Sequence, residues 1–331
     1  MTDSSSQQGC DQVVINIEDM LRTAPYLRPS RDCCIHKVPV HLRNINEAAY
    51  TPQIISIGPL HRDDKKLKPM QAYKVHFLNT LLRRKPSIKL EDYVKTLRGL
   101  EKKVRNCYFN QEFVCSISSN DFVQMMLLDG CFIVELLITK CCPTNTELLP
   151  WPRPYNKKVK FDLMLYENQL PYFLLEDLFN FINGNNQICQ VSFFDLVDGY
   201  FRDYYLNDAH RLKNSGHQVK HFLGLILNCH RPLGLTLSVE DDNTDRKPIY
   251  LPSATELHES GVKFKKGKSH CYLDIKSNKN GVLEIPLLVV EDSTEQRFRN
   301  MIAMEQWQDD NTAYITHYMF LLDFLINTPN S

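Results

Sequence analysis

The sequence lacks the short motifs on which the common enzyme classes depend. Its 331 residues contain no glycine-rich phosphate loop, no dinucleotide-binding fingerprint and no nucleophile elbow, the elements that hold phosphates or expose a reactive serine. It also lacks an excess of charge, because 39 basic and 39 acidic side chains give a formal net charge of zero. We therefore predict no enzymatic activity and no cofactor, and a nucleic acid is not an expected partner.

The features of a secreted protein are missing as well. Acidic residues such as Asp11 and Glu18 lie where a signal peptide needs a basic start and an apolar core, and no N-x-S/T sequon occurs. The eleven cysteines are odd in number and form no CxxC pair. We therefore predict reduced, mostly buried thiols in a soluble body on the cytosolic side of a membrane.

One long apolar run is present, from Met125 to Cys142. It approaches the length of a membrane-spanning helix, but it carries Asp129, Gly130 and Glu135 in its middle. A carboxylate at the centre of a bilayer costs roughly 2.5 to 3.5 kcal/mol even on a lenient scale. We therefore expect a helix buried within the protein, whose two acids each meet a partner.

The segments around this run have the periodicity of amphipathic helices. Apolar residues recur every three or four positions along 70–81 and 94–108, and helical segments are also predicted over much of 161–229 and in the last part of the chain. A short strand is predicted at Gln53–Ile57. Residues 1–32 are expected to form a flexible tail, and residues 33–331 a single compact domain.

Beyond the middle of the chain the apolar period changes to two. This predicts strands at Val262–Lys266, Cys271–Ser277 and Val282–Glu291, with a hairpin turn at Asn280-Gly281. The predicted fold class is α+β, a predominantly α-helical bundle with a small antiparallel β-sheet or hairpin at about 262–291.

Four acids lie within the most apolar stretches: Asp129, Glu135, Asp162 and Glu167. Acids in an apolar site have raised pKa values and could serve as general acid and base or hold a divalent metal, which makes a metal-dependent hydrolase one hypothesis. The alternative that we favour is structural: these acids cap helix ends or pair with arginines such as Arg43 or Arg299.

Glu167, Asn168 and Gln169 form a polar cluster just before Pro171, at a predicted junction between helices. The cluster could bind a ligand or partner, but Asn and Gln also satisfy the unpaired backbone groups of helix ends. We favour the second interpretation, a structural latch.

His217 and His221 are four residues apart, the spacing that brings two imidazoles together for a metal. On a helical wheel they fall opposite the apolar face, where surface histidines are expected, and no third ligand lies at zinc spacing. We therefore predict no metal site.

Residues 61–110 hold 14 Lys and Arg against 5 Asp and Glu. Such a region, including Arg83, Arg84 and Lys85, could bind anionic lipid headgroups as a peripheral membrane protein. Because these charges are interleaved with two amphipathic helices, the favoured alternative is a solvated outer face.

Several segments, in this order, resemble the plant family catalogued as domain of unknown function 247, which includes UPF0481-type proteins. The resemblance covers about residues 35–327 and is carried by these segments: VPVHLRNINEAAYTPQIISIGPLHR, MMLLDGCFIVELL, FDLMLYENQLPYFLLEDL, LPSATELHESGVKF and LEIPLLVVEDSTEQRFRNMIAMEQ. It implies a plant protein without established enzymatic activity that is membrane-associated, at the plasma membrane, through a hydrophobic helix near the C-terminus. Since family members continue beyond the position of Ser331, the resemblance also implies that this chain stops before that anchor.

The resemblance implies an interaction or recognition role, in signalling or in pollen recognition during self-incompatibility, since some grass members are tied to those loci. We expect another protein as the partner, in a homo- or hetero-oligomer. Exposed segments, chiefly Pro143–Lys158 and Val239–Lys247, are expected to carry partner specificity on a rigid scaffold.

Overall fold

The computed structural model describes residues 11–23, 32–109, 111–142, 149–184, 188–205, 218–230, 252–269, 271–307 and 313–326. Within these ranges the protein is mostly helical, with a small three-stranded sheet near the C-terminal end. This confirms the predicted α+β fold class.

The described residues contain thirteen α-helices. They are α1 (Gln12–Thr23), α2 (Val40–Ile45), α3 (Met70–Arg84), α4 (Leu90–Arg105), α5 (Gln111–Ser116), α6 (Ser119–Cys141), α7 (Arg153–Asp162), α8 (Tyr172–Asn183), α9 (Phe193–Phe201), α10 (Phe222–His230), α11 (Ala254–Glu259), α12 (Thr294–Glu305) and α13 (Tyr314–Leu325). Short 3₁₀ turns occur at Glu47–Tyr50, Lys65–Leu67 and Arg202–Tyr204.

Helix α6 is the apolar run identified from sequence, and it is the centre of the bundle. The Ser118 hydroxyl accepts a hydrogen bond from the Asp121 N–H at its first turn, as expected of a cap. Helices α3, α4, α8 and α9 all pack on α6. By length and composition α6 could cross a membrane, but 78% of its most apolar window is buried inside the protein. The prediction of a buried central helix is confirmed.

A glycine lets two of these helices approach closely. A Cβ atom built on Gly130 would lie only 2.6 Å from Leu178 Cδ1 of α8. Because real Cβ contacts are essentially never that short, any side chain at Gly130 would require Leu178 to change its position between α6 and α8. The glycine in the middle of the apolar run is thus explained by helix packing.

The sheet has the order β1 (Lys263–Lys266), β3 (Val282–Ile285), β2 (Lys276–Ser277). Strands β2 and β3 form the predicted antiparallel hairpin, with Gly281 in its turn at φ +70°. Strand β1 pairs with β3 in parallel, so the sheet is mixed. Strand β3 is shorter than expected because Pro286 follows it and has no N–H to donate.

The strand predicted at Gln53–Ile57 is wrong. These residues form bends and irregular backbone, not a strand. Although Ile55 and Ile57 are fully buried, as in a central strand, the backbone N–H groups are bound by side chains of distant residues, so no neighbouring strand is needed.

Candidate functional site

Two of the four predicted acids, Asp129 and Asp162, and Asn168 of the polar cluster bind residues 53–58, which we call the clasped segment. The Asp162 carboxylate accepts hydrogen bonds from the N–H groups of Gln53, Ile54 and Ile55 at 2.9, 2.7 and 2.9 Å. Asp162 lies at the C-terminal end of α7, where the chain turns towards the polar cluster. One carboxylate thereby satisfies three consecutive backbone donors, of which that of Ile55 is fully buried and would otherwise be unpaired.

Asn168 continues the same pattern further along the clasped segment. Its Oδ1 accepts from the Ile57 N–H at 2.6 Å, and its Nδ2 donates to the carbonyls of Ile55 and Asp162 at 3.0 and 2.9 Å. The side chain has 1% exposure and uses both its donor and acceptor groups. Asn168 therefore acts as a bridge between the clasped segment and the end of α7.

The clasped segment ends at a buried ion pair. Asp129 of α6 accepts from the Gly58 N–H at 2.8 Å and from Lys74 Nζ of α3 at 2.5 Å. Lys74 also donates to the Ser56 carbonyl at 2.6 Å. Both charged side chains have about 1% exposure, and each is compensated by the other and by backbone groups, which is the condition for burying an ion pair.

Position 58 requires a glycine. Its φ of +72° is in the left-handed region, and a Cβ atom there would lie 2.9 Å from the Gln169 carbonyl oxygen and 3.0 Å from the Tyr108 hydroxyl. Both the backbone conformation and the close approach require glycine. The clasped segment can reach Asp129 only because this residue has no side chain.

Glu167 anchors the chain that precedes the clasped segment. Its carboxylate accepts from the Val38 N–H at 2.7 Å, from the Arg43 guanidinium, and lies 3.0 Å from His61 Nε2. Arg43 was one of the two arginines expected to meet a buried acid. The other, Arg299, pairs with Glu295 on its own helix instead.

Gln169 binds the backbone at the junction before α8. Its Nε2 donates to the carbonyls of Leu163 and Leu165 at 2.8 and 2.7 Å, and its side chain has 2% exposure. The backbone carbonyl oxygen of Gln169 accepts from the Tyr108 hydroxyl at 3.0 Å. All the polar contacts that the structure gives Gln169 are internal, which is the arrangement of a latch.

Glu135 lies away from the other three acids. The Arg84 guanidinium donates to it at 2.8 to 3.2 Å, and Thr139 adds a hydrogen bond at 3.3 Å. Glu135 is fully buried, whereas Arg84 keeps 19% exposure. The pair joins α3 to α6 on a different side from Lys74 and Asp129.

The electrostatics of these acids follow from burial and its compensation. Burial raises the pKa of Asp162 to about 6, against its three N–H donors. Burial likewise raises the pKa of Asp129, and Lys74 opposes it. Burial also acts to raise the pKa of Glu167, but His61, Arg43 and the Val38 N–H outweigh it and hold the pKa below its usual value.

A cleft of about 450 Å³ lies beside α3 and α6, with Arg62, Lys68 and Asp121 on its wall and Lys74 and Asp129 at its base. Of the four predicted acids, Asp129 alone lines it. No group of three or more His, Cys, Asp or Glu suited to a metal ion occurs within the described ranges. Glu135, Asp162 and Glu167 therefore do not share this cleft with Asp129.

The histidine prediction was wrong for His221. This residue was placed on the polar face of a helix, but it has 0% exposure, and α10 begins only at Phe222. Its Nδ1 accepts from the Gly224 N–H at 3.2 Å, so the ring caps the first turn. Burial lowers the pKa of His221 to about 3. His217 lies outside the described residues.

The basic region divides in the structure. Arg83 is exposed, Arg84 binds Glu135, and Lys85 Nζ donates to the Ile182 carbonyl at 2.7 Å at the end of α8. Two of the three residues suggested for lipid binding therefore hold helices together. Arg83 alone extends from the surface.

Two important residues were missed from sequence. Lys74 lies in register with the apolar residues Met70, Phe77 and Leu81 of α3, and this placement was a readable signal of a buried lysine. Asn300 of α12 donates to the Ala49 carbonyl and accepts from the Tyr166 N–H at 2.8 and 2.9 Å. No sequence signal distinguished Asn300 from a surface residue.

The segments expected to carry specificity are only partly described. Residues 143–148 and the whole of Val239–Lys247 lie outside the described residues. Within Pro143–Lys158, residues 153–158 form the first turns of α7, with Pro154 near the helix start. Their role in partner choice stays a prediction.

Comparison with known proteins gives the family. A family model described as DUF247, plant protein of unknown function, matches residues 35–331. In Arabidopsis thaliana, UPF0481 protein At3g47200 is 28% identical over 326 aligned positions, covering 89% of this chain and 65% of that protein. Putative UPF0481 protein At3g02645 is 25% identical over 169 positions, covering 51% and 31%. The chain thus spans less than two thirds of the length of either relative.

No solved structure matches the chain, so the family assignment depends on sequence. The match covers all the acids and the polar cluster described above, and it confirms the resemblance seen from the sequence. The chain belongs to the DUF247 family of plant proteins of unknown function.

Proposed function

We propose that this protein is a non-enzymatic recognition module that binds another protein through the segment 287–290. The observation that carries the proposal is the exposure of this segment. Leu287, Val289 and Val290 are 57%, 61% and 77% exposed within four consecutive positions. Three exposed apolar side chains so close together favour a contact surface over scattered surface residues.

The backbone of the same segment is available as well. Residues 287–290 follow β3 after Pro286 and make no backbone hydrogen bond to any described residue. Unpaired N–H and C=O groups that continue a strand are a template on which a partner strand can add. The partner that fits is an extended segment of another protein with apolar side chains at alternate positions.

The buried acids support a role without catalysis. Asp129, Glu135, Asp162 and Glu167 are each occupied by backbone N–H groups or by basic side chains. A general acid or base must be able to reach substrate. The hydrolase alternative therefore lacks the shared, accessible site that would motivate it.

The setting of this function is inferred from the family resemblance. We propose that the body lies on the cytosolic face of the plasma membrane and takes part in signalling or in pollen recognition. Labelling the full-length protein in plant cells and separating membrane from soluble fractions measures the first point. Recovery in the soluble fraction alone would contradict it.

The recognition proposal is tested by a surface variant and a matched control. Val289→Glu with Val290→Glu places charge on the segment, whereas Val75→Glu places charge at another exposed apolar site, 53% exposed on α3. Partners are first identified by proximity labelling with the full-length protein in its native tissue, and the strongest is then purified. We expect the double variant to bind it about tenfold or more weakly, a loss typical of removing central interface residues.

The control Val75→Glu should bind that partner as the unchanged protein does. Equal binding by the double variant would overturn the assignment to 287–290. In that case, exchange of Pro143–Lys158 and Val239–Lys247 between close relatives decides whether those segments carry the preference.

A further inference from the structure

A small cavity in the C-terminal half contains unpartnered polar groups. Its volume is about 110 Å³, the space of roughly three or four water molecules. His230 at the end of α10, Tyr272 before β2 and Arg297 of α12 line it, and Asp203 and Glu291 also contribute to its wall. None of these residues belongs to the network around the clasped segment.

Three buried atoms of these residues make no hydrogen bond to the described part of the chain. They are His230 Nε2, the Tyr272 hydroxyl and Arg297 Nε. His230 and Tyr272 have 2% and 3% exposure. Buried polar atoms in folded proteins are nearly all paired with protein, water or ligand, so three atoms without a described partner around one cavity mark it as a candidate ligand site.

The hydrogen bond of the His230 ring defines what the ligand must offer. His230 Nδ1 lies 2.7 Å from the Ile226 carbonyl, which can only accept, so Nδ1 carries the proton. Burial lowers the pKa of His230 to about 3, and the neutral ring then presents Nε2 as an acceptor. A ligand that pairs with these atoms donates one hydrogen bond to His230 and accepts one from Arg297, and the Tyr272 hydroxyl can donate to it as well.

The charge of the cavity favours an anion. The Arg297 guanidinium contacts the rings of Tyr204 and Phe298, each 5.8 Å from its centre, and forms no ion pair with a described acid. Arg297 is partly buried, with Nε fully enclosed, and carboxylates and phosphates are the strongest partners for a guanidinium. Glu291 acts on Arg297 only at longer range.

The acids in the wall limit how much negative charge the cavity accepts. Asp203 is directed at Lys160, 3.7 Å away, and remains 83% exposed. Glu291 is exposed to solvent, and its N–H is bound by Thr294 Oγ1. Two carboxylates near the ligand favour a singly charged ion over a multiply charged one, because like charges repel.

We propose that this cavity binds a small, singly charged oxyanion that also carries an O–H group. Its charged oxygens accept hydrogen bonds from Arg297 and Tyr272, and its O–H donates to His230. A hydroxycarboxylate and the monoanion of inorganic phosphate both have this chemistry. Leu287, Leu288 and Val289 of the segment 287–290 also line this cavity, but the anion proposal depends on His230, Tyr272 and Arg297, and ion binding is measured separately from partner binding.

The experiment is isothermal titration calorimetry with the full chain near neutral pH. Glycolate and acetate carry the same charge and differ by one hydroxyl group, so the pair isolates the bond to His230. We expect glycolate to bind about tenfold more tightly than acetate, the effect of one well-placed hydrogen bond in a buried site. Inorganic phosphate, compared with sulfate, tests the phosphate source separately.

Two variants and two controls test the residues. Arg297→Gln and Tyr272→Phe should each weaken binding of the preferred ion about tenfold. Arg299→Gln, on the same helix, and Tyr318→Phe, whose hydroxyl is also unpartnered but outside the cavity wall, should leave binding unchanged.

Three results would overturn the proposal. The first is binding of neither glycolate nor phosphate at millimolar concentration by the folded chain. The second is equal affinity for glycolate and acetate together with equal affinity for phosphate and sulfate. The third is binding that Arg297→Gln leaves intact.

Discussion

Around the clasped segment every carboxylate and amide that faces it has a hydrogen-bond partner, whereas the cavity beside Arg297 contains three polar atoms that have none among the described residues. His230 and Tyr272 are buried to nearly the same extent as Asp129 and Asn168, so burial of these side chains alone does not distinguish the two regions. What differs is whether the partners come from the chain itself. A saturated network stabilises the fold, and an unsaturated one leaves capacity for a ligand.

The largest expected effect comes from breaking the ion pair between Lys74 and Asp129, at the end of the clasped segment. Asp129→Ala leaves Lys74 buried without its carboxylate, and we expect a loss of about 3 to 5 kcal/mol in the free energy of unfolding. Urea denaturation measures it. The double variant Lys74→Met with Asp129→Leu should lose much less, because no charge remains unpaired; a loss as large as that of Asp129→Ala would contradict this account.

The next largest effect is the pH dependence of stability that comes from the buried, neutral ring of His221. The pKa of His221 is lowered from 6.5 to about 3 by burial, so below pH 6.5 the unfolded chain binds a proton that the folded protein excludes. The stability contributed by the neutral ring is complete above pH 6.5 and is lost as the pH falls towards 3. At about pH 4.5 the loss relative to pH 7 is about 3 kcal/mol, at 1.4 kcal/mol for each pH unit.

The variant His221→Asn is the reference for that measurement. Asparagine can still cap the first turn of α10 but has no proton to take up. Urea denaturation of both proteins across this pH range should therefore show a difference that grows in favour of the variant as the pH falls. Parallel pH curves for the two proteins would show that His221 is not kept neutral.

Alanine substitution at two glycines compares a position where the backbone requires glycine, Gly58, with one where a side chain has room, Gly99. Gly58→Ala strains a backbone at φ +72° and brings Cβ against Gln169, and we expect a loss of about 1 to 3 kcal/mol. Gly99 lies on the exposed side of α4 with nothing within 4 Å of its Cβ position. Gly99→Ala should gain about 0.5 to 1 kcal/mol. Thermal unfolding measures both, and equal changes would remove the claim about Gly58.

The smallest effects come from two tyrosines. The Tyr108 hydroxyl donates to the Gln169 carbonyl at 3.0 Å, so Tyr108→Phe should cost about 1 kcal/mol of unfolding free energy. Without ligand, Tyr272→Phe removes a hydroxyl that has no described partner and should cost nothing or stabilise the protein slightly. Equal losses of unfolding free energy in the two variants would mean that the Tyr272 hydroxyl has a hydrogen-bond partner in the protein without ligand.

The helical bundle was predictable because its signals are local. The apolar run of α6, the period of α3 and α4, and Pro171 before α8 each depend on residues that are neighbours in sequence. The hairpin of β2 and β3 was predictable from Asn280-Gly281 for the same reason. The parallel pairing of β1 with β3 was not, since register between distant strands depends on tertiary packing.

The site could be predicted only in its residue types. The four acids and Asn168 stood out because polar groups in apolar stretches need partners. Asp129, Asp162, Glu167 and Asn168 bind backbone N–H groups about 70 to 130 residues away, at Val38 and the clasped segment, and a backbone N–H has no sequence signal. Glu135 instead meets Arg84, 51 residues away. His221 was misplaced because the helical wheel assumed that the helix began earlier than Phe222.

The burial of α6 has a consequence for how the protein is made. On the ribosome, α6 emerges after α3 and α4 but before α8 and α9, so one side of a highly apolar 23-residue helix is uncovered during synthesis. The last covering helix ends at Phe201, and translation at 5–20 residues per second needs roughly 3 to 12 s to reach it. During that interval the nascent chain exposes an apolar surface that the finished protein conceals, and this surface is prone to aggregation until α8 and α9 cover it.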